Sequence, residues 1–477
     1  MMASSRSTII WSLLWGLLEK CSVQVVSFLV TIVLARLLLP EEYGIVALIS
    51  IFIALATVII DGGLNTALVQ KKDANEEDFS TIFYVSMGLS LLMYVLLFTL
   101  APVLASFYDM IELTLVIRVL SLSLFFYAFN SVQRAYVYKN MMFRQMFICS
   151  LIAVIISGII GVYMAYVGYG VWSLVVQSIS NIAFTSLIMW FVVKWRPRLV
   201  FSINKFKVLF AFGWKIFLTN FIITLFVKIR ALLIGKMYAP ATLAYYDKGN
   251  QFSGLIMDNV CGTIQTVMFP AFSEVQDNKE RVKQMMRRSI NISCLIMFPL
   301  VVMLIVCAKP LVIFLLTEKW LPCVPYIQIL CIASFFRPIT IPNGQAITAM
   351  GHSGITLKLE IIRKIVDISI LCISCWWGAI AIAWGVVVFN FICLFINLMP
   401  NVKLLNYKIY EQVLDVLPIA IISVAMGLVI SLFALFDIHP LLLIITQVLS
   451  GAMLYVFICY IFKCEGLIYL IGIMKKK

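Results

Sequence analysis

Fourteen apolar stretches of roughly 20 residues follow one another almost end to end along this chain, near 9–38, 43–66, 80–106, 112–135, 146–167, 171–193, 208–234, 247–271, 287–308, 322–348, 357–377, 379–399, 414–436 and 440–462. A helix of about 20 apolar residues spans about 30 Å of hydrocarbon. The stretches leave no room for a separately folded catalytic domain. At 63% hydrophobic and 12% charged, the composition is far from that of a soluble globular protein. The expected fold is all-α and polytopic.

Lysines and arginines test the count, because they collect in every second gap. One set of gaps and the span residues flanking them, with the two ends of the chain, holds 25 of the 36, including Lys71, Lys139, Arg198, Lys205, Arg287, Lys364 and Lys403. The alternate gaps hold four: Lys236, Lys248, Lys309 and Lys319. Basic residues favour cytoplasmic loops, so both termini are expected in the cytoplasm, and adding or removing one span mid-chain destroys the pattern. The net charge of +14 then reflects loops lying against an anionic leaflet, and no nucleic-acid partner is expected.

The twelve cysteines fall mostly inside spans (Cys149, Cys261, Cys294, Cys372, Cys375 and Cys393 among them) without metal-ligand spacing, where cysteine acts as a small apolar residue. His352 and His439 are isolated, so neither a metal nor a cofactor is expected. The first apolar run is too long for a cleaved signal and lacks a small-residue cleavage site. The chain has no Asp-x-Asp, no long external loop and no Gly-x-x-x-x-Gly-Lys-Ser/Thr phosphate loop. These absences argue against a glycan-transferring enzyme and against nucleotide-driven transport.

The chain carries a hint of duplication. The first span ends Leu34-Ala35-Arg36-Leu37-Leu38-Leu39-Pro40-Glu41-Glu42-Tyr43-Gly44, and the seventh ends Ile234-Gly235-Lys236-Met237-Tyr238-Ala239-Pro240. In both, a basic residue precedes proline by four positions. The two copies lie six spans apart, an even offset that gives them one orientation, related by an axis along the membrane normal. The expected organisation is two six-helix lobes, 1–200 and 201–405, joined near Lys194–Lys207, with accessory spans 13–14 and a basic tail in 406–477.

Ionisable groups inside a bilayer cost about 2.5 kcal/mol or more, so they line cavities or pair with one another. Asn220, Thr224 and Lys228 recur every four residues on one face of the seventh span, with Lys215 and Arg230 nearby. Lys215, Lys228 and Arg230, with Lys20 and Arg118, are the candidate cationic cavity wall. Such a wall suits an anion, and diphosphate suits several Lys and Arg donors. Lys228 and Arg230 could equally pair with Asp61 or Asp258 as structural contacts. Arg36 reads as snorkelling, and Arg134 as interfacial. Asp61, followed by Gly62-Gly63, is a helix cap or an ion-coupling carboxylate; Asp258 and Asp367 are the other coupling candidates. Gly158, Gly161, Gly168 and Gly170 are expected to allow close helix contact.

The first-span motif resembles the polysaccharide transporter family, the Wzx-type flippases of the multidrug/oligosaccharidyl-lipid/polysaccharide superfamily. The resemblance continues in order through Asp61-Gly62-Gly63-Leu64-Asn65-Thr66-Ala67-Leu68-Val69-Gln70-Lys71-Lys72-Asp73, Phe269-Pro270-Ala271-Phe272-Ser273 and Ala349-Met350-Gly351-His352-Ser353. It implies two six-helix lobes plus two accessory helices. It also implies an inner-membrane flippase for undecaprenyl-diphosphate-linked repeats of O-antigen, capsule or exopolysaccharide, working beside a glycan polymerase or glycosyltransferases of the same pathway. Tyr245-Tyr246-Asp247-Lys248-Gly249-Asn250 departs from the family pattern, so no role is carried onto it.

The expected activity is thus non-enzymatic: alternating-access transfer of a lipid-linked oligosaccharide, with membrane lipid around the tail. Three rivals remain. A cation-coupled multidrug exporter of the same superfamily should prefer an anionic cavity. A flippase for the lipid-linked peptidoglycan precursor differs only in substrate. A membrane glycan polymerase is disfavoured by the short external loops.

Overall fold

The computed structural model describes residues 6–436, 438–462 and 466, with side chains described except at 6–10, 12, 13, 256, 258, 259, 263, 266, 267 and 353. Among these residues the chain is helical, with no strand. A first compact unit, Met1–Ala244, holds α1 (Arg6–Leu37), α2 (Pro40–Asp61), α3 (Leu64–Gln70), α4 (Glu76–Phe107), α5 (Leu113–Leu120), α6 (Ser123–Lys139), α7 (Phe143–Val167), α8 (Val171–Val192), α9 (Ile203–Met237) and the start of α10 (Pro240–Glu274). The second, Tyr245–Lys477, holds the rest of α10 with α11 (Lys279–Leu316), α12 (Val324–Ser334), α13 (Arg337–Ala349), α14 (Ser353–Ser374), α15 (Ala379–Leu405), α16 (Ile409–Ser431) and α17 (Pro440–Ile461).

Twelve helices among the described residues are long and apolar enough to cross a membrane. The eighth and eleventh expected spans fall on α10 and α14, helices of 35 and 22 residues that are more polar. On α14 the physical reason is amphipathicity. Leu357, Ile361, Ile362, Ile365 and Ile368 are exposed as a lipid-facing stripe, while Asp367 is buried and Arg363 ion-pairs with Glu360 at 2.8 Å. Two spans read as continuous are each broken in two: α5 gives way to α6 at Ser121–Leu122, and α12 to α13 at Phe335–Phe336. The basic tail beyond Phe462 lies outside the described residues.

The two copies of the proposed repeat adopt the same local structure. α1 ends at Leu37 and α2 starts at Pro40; α9 ends at Met237 and α10 starts at Pro240. Proline is well placed in a first turn, where its missing N–H has no partner to lose, and Leu39 before it is extended at φ −85, ψ 153. The Leu39 amide donates to the Glu42 carboxylate at 2.7 Å, tying off the start of α2.

α9 packs along α2, α3 and α4, which places it in the first packing unit. Glycines make that approach close. A Cβ on Gly63 would strike the Gly213 carbonyl, one on Gly44 the Pro240 carbonyl, and one on Gly235 would meet Leu48 Cδ1 at 2.7 Å. Glycines also bring α7 against α1 and α8: a Cβ on Gly158 would lie 2.5 Å from Val30, and one on Gly161 2.7 Å from Gln177. Gly168 does something else. It has open space around it and caps α7 at φ 92, in left-handed backbone.

The segment expected to link two lobes is strapped to the first turn of α4. Glu76, Glu77 and Asp78 occupy that turn, where the helix dipole favours acids. Arg198 ion-pairs with Glu76 and Lys205 with Glu77. The Arg198 amide donates to Ser80 Oγ at 2.9 Å, and the Ser202 amide to Thr81 Oγ1 at 3.2 Å. Asp78 is wholly buried, paired with Lys71 at 2.7 Å and locked in a reciprocal cap with Asn75. In the second unit, α16 and α17 pack on α11 through Met286, Ile290, Phe298, Met426 and Tyr455. A buried amide chain joins α15, α13 and α16: Asn401 donates to Asn343 Oδ1 at 2.7 Å, and Asn343 to Gln412 Oε1 at 3.1 Å.

Gly63→Leu should lower the melting temperature of the purified protein by several degrees. It forces a side chain into the Gly213 backbone at φ 67, and such backbone strain alone costs about 1–3 kcal/mol. Gly88→Leu, with nothing within 4 Å, should leave the melting curve unchanged. Equal melting temperatures would show that α9 does not need this contact.

Candidate functional site

Two consecutive left-handed glycines interrupt the second span. Gly62 (φ 52) caps α2 by donating to the Val58 carbonyl at 3.1 Å, and Gly63 (φ 67) opens α3. Residues with a Cβ rarely adopt two such conformations in succession. The break leaves Asp61 as the last residue of α2 and turns α3 beside it. Asn65 Nδ2 donates to Asp61 Oδ1 at 2.5 Å, and the Gly63 amide also hydrogen-bonds Asp61.

Facing the break, α6 presents Tyr127, Asn130, Ser131, Arg134 and Tyr138, spaced three and four apart on one side of the helix. Together with Asp61, Asn65, Thr66 and Val69 they line a cavity of about 530 Å³. Arg134 is exposed to this space, while Asn130 is buried and its Oδ1 has no partner. Asn65 Oδ1 is likewise buried without a partner. A buried unpaired polar atom costs about 1–3 kcal/mol, which a ligand hydroxyl or an ordered water recovers. The arrangement offers one guanidinium for an oxyanion, several amide and hydroxyl groups for polyol hydroxyls, and one carboxylate that can exchange a proton.

The cations expected on α9 divide around its circumference. Gly213 faces α3, and Asn220, Thr224 and Lys228 follow on that side of the helix at helical spacing. Lys215 falls two residues after Gly213, on the opposite side, and is exposed. Lys228 and Arg230 are half-buried. Lys20 is exposed on α1. Arg118 on α5 lies over the Phe98 ring at 4.3 Å, and its Nε donates to the Phe98 carbonyl at 3.4 Å. Lys20, Arg118 and Lys215 are not among the described residues that line the cavity beside Asp61 and Arg134. Asp367 is buried on α14 with interaction partners of its own. The Asp258 side chain lies outside the described residues.

Arg134, expected at the interface, lines the cavity together with Tyr127, a residue outside the sequence expectations. The Tyr127–Asn130–Ser131–Arg134 spacing was the available signal, a polar stripe within an otherwise apolar span. Among the described residues, no group of three or more His, Cys, Asp or Glu could hold a metal ion.

Thr66→Cys or Arg134→Cys, each in a cysteine-free background, should react readily with a small water-soluble thiol reagent, because both positions line the cavity. Ser86→Cys, at a fully buried position, should stay unmodified. Protection of all three would mean that water does not reach the cavity.

Comparison with known proteins places this geometry among relatives. The family model described as "Polysaccharide biosynthesis protein" matches residues 33–325. The teichuronic acid biosynthesis protein TuaB of Bacillus subtilis (strain 168) is 23% identical over 415 residues, 84% of this chain and 85% of its own length. The lipopolysaccharide biosynthesis protein WzxC of Escherichia coli (strain K12) is 22% identical over 410 residues, 84% of this chain and 83% of its own. The solved structure of the lipid II flippase MurJ in an inward closed conformation aligns over 95% of this chain and 99% of its own, with a TM-score of 0.74 at 15% identity. That last likeness shows a common fold.

Proposed function

The chain belongs to the polysaccharide biosynthesis protein family, and from that premise we propose that it is a flippase for undecaprenyl-diphosphate-linked oligosaccharide repeats of O-antigen, capsule or exopolysaccharide. It would work by alternating access in the bacterial inner membrane, with both termini cytoplasmic and lobes 1–200 and 201–405 as the moving halves.

The observation that carries this reading is the cavity where Arg134 stands among Asn65, Thr66, Tyr127, Asn130 and Ser131. A diphosphate-linked sugar presents oxyanions next to hydroxyls, and this lining offers a donor fork next to amides and hydroxyls. Lys228 and Arg230 on α9 would add positive charge as the diphosphate enters, and Lys215, Lys20 and Arg118, nearer the surface, would extend the cationic path. Asp61, with Asp258 and Asp367 as alternatives, would carry a coupling proton or sodium ion. Glycosyltransferases or a polymerase of the same pathway would supply and consume the substrate.

A cation-coupled multidrug exporter is the second reading, favoured by Asp61 in the same cavity. Binding separates the two. Purified protein in nanodiscs should bind an undecaprenyl-diphosphate oligosaccharide, and Arg134→Gln should weaken binding roughly tenfold or more, as expected for one charge-assisted contact of about 1.5–3 kcal/mol. Unchanged binding in Arg134→Gln, with ethidium binding that Asp61→Asn abolishes, would favour the exporter.

A further inference from the structure

The accessory helices α16 and α17 have no part in the reading above, yet beside them lies a second cavity, of about 560 Å³, within the second unit. Among the described residues its wall is mostly apolar, with Leu417, Ile421 and Phe462 in the lining, while Arg287, Asn291 and Asp415 bring polar side chains to it. We propose that this cavity is a phospholipid site, in which one acyl chain lies along Leu417 and Ile421 while Arg287, Asn291 and Asp415 receive an anionic glycerophospholipid headgroup.

The polar end is built rather than incidental. The Tyr407 hydroxyl donates to Asp415 Oδ2 at 2.5 Å, and Arg287 donates to Asp415 Oδ1 at 2.5 Å. The Asp415 side chain is 8% exposed and that of Arg287 51%, so a buried carboxylate fixes the direction of a half-exposed guanidinium. Tyr407 lies between α15 and α16, and burial together with the Asp415 carboxylate pushes its phenol up, keeping it a donor at any physiological pH.

Asn291 supplies the second feature. It is 7% exposed and lines the cavity, and its Oδ1 is buried without a partner. A small rotation of the Asn291 side chain would present that acceptor to a hydroxyl on the ligand, and the glycerol of a phosphatidylglycerol headgroup carries hydroxyls. An acyl chain alone would leave it unmet.

Charge selects among headgroups. The same end of α11 carries Lys279, Arg281, Lys283 and Arg288, and the α15–α16 junction adds Lys403 and Lys408, against Glu280, Glu411 and Asp415. The excess is cationic and suits an anionic lipid. A guanidinium already shared with a carboxylate matches a singly charged phosphodiester better than a diphosphate. The exposed Leu417 and Ile421 open the apolar part towards surrounding lipid.

The test is native mass spectrometry of the full-length protein, taken from bilayers of phosphatidylglycerol, phosphatidylethanolamine and undecaprenyl phosphate in equal amounts. Wild type should retain phosphatidylglycerol several-fold over the other two. Ile421→Trp fills the groove from an exposed position and leaves the Arg287–Asp415 pair intact; it should lose that lipid. Arg287→Gln/Asp415→Asn removes both charges together, so no carboxylate is left buried alone, and it should lose the preference. Ile159→Trp, equally exposed on α7, should behave as wild type. Equal retention of phosphatidylglycerol and phosphatidylethanolamine, unaltered retention by Ile421→Trp, or displacement by undecaprenyl phosphate would each overturn the proposal.

Discussion

Hydrocarbon offers no hydrogen-bond partners, so a helix inside a bilayer can be interrupted only where protein or a water-filled cavity shelters the freed backbone groups. The break at Gly62–Gly63 obeys this constraint, and the candidate site depends on it. On one side the backbone of Gly213 closes against Gly63 so tightly that no Cβ fits. On the other, the break opens into the cavity lined by α6. Were α2 to continue as one helix, the Gly63 amide would bond the Ile59 carbonyl instead of turning to the Asp61 carboxylate. The same rule governs the second unit, where the Asn401–Asn343–Gln412 chain is buried and mutually bonded.

Charge is distributed with equal economy. Acids at the start of α4 hold the basic segment that leads into α9, and buried Asp78 pairs with Lys71 and shares a reciprocal cap with Asn75. Removing one partner of such a buried pair generally costs about 3–5 kcal/mol. Lys71 is therefore held in a structural role, whereas Arg198 and Lys205 sit in more exposed and weaker pairs. Arg134 differs, because it lines a cavity whose other residues are mostly uncharged. The distinction between paired cations and cavity cations separates structural charge from the candidate site.

Much of this was readable from residue order. Apolar run length and basic-gap alternation located the helices, and the Arg36–Pro40 and Lys236–Pro240 signals marked equivalent helix–proline junctions. The breaks after Leu120 and Ser334 sit inside long apolar runs that mask weak local signals: Ser121 and Ser123 flank the first, and Arg337-Pro338 follows the second. α10 and α14 read as ordinary spans, although the polar residues on α14 are segregated from a lipid-facing stripe. Asp61 showed its local partner, Asn65, four residues on. Its cavity neighbour Arg134 is more than seventy positions away, and only the tertiary packing of α6 against α3 unites them. Likewise the Asn220–Thr224–Lys228 stripe follows from helical period, whereas the meeting of Gly213 with Gly63 does not.

The most direct measurement is leaflet transfer. Proteoliposomes would contain a fluorescent undecaprenyl-diphosphate oligosaccharide, and a membrane-impermeant quencher would report its arrival in the outer leaflet. The flippase account predicts protein-dependent transfer that is slowed strongly by Arg134→Gln and by Lys228→Ala/Arg230→Ala. Transfer no faster than in protein-free vesicles, from protein shown to be folded and oriented, would contradict it.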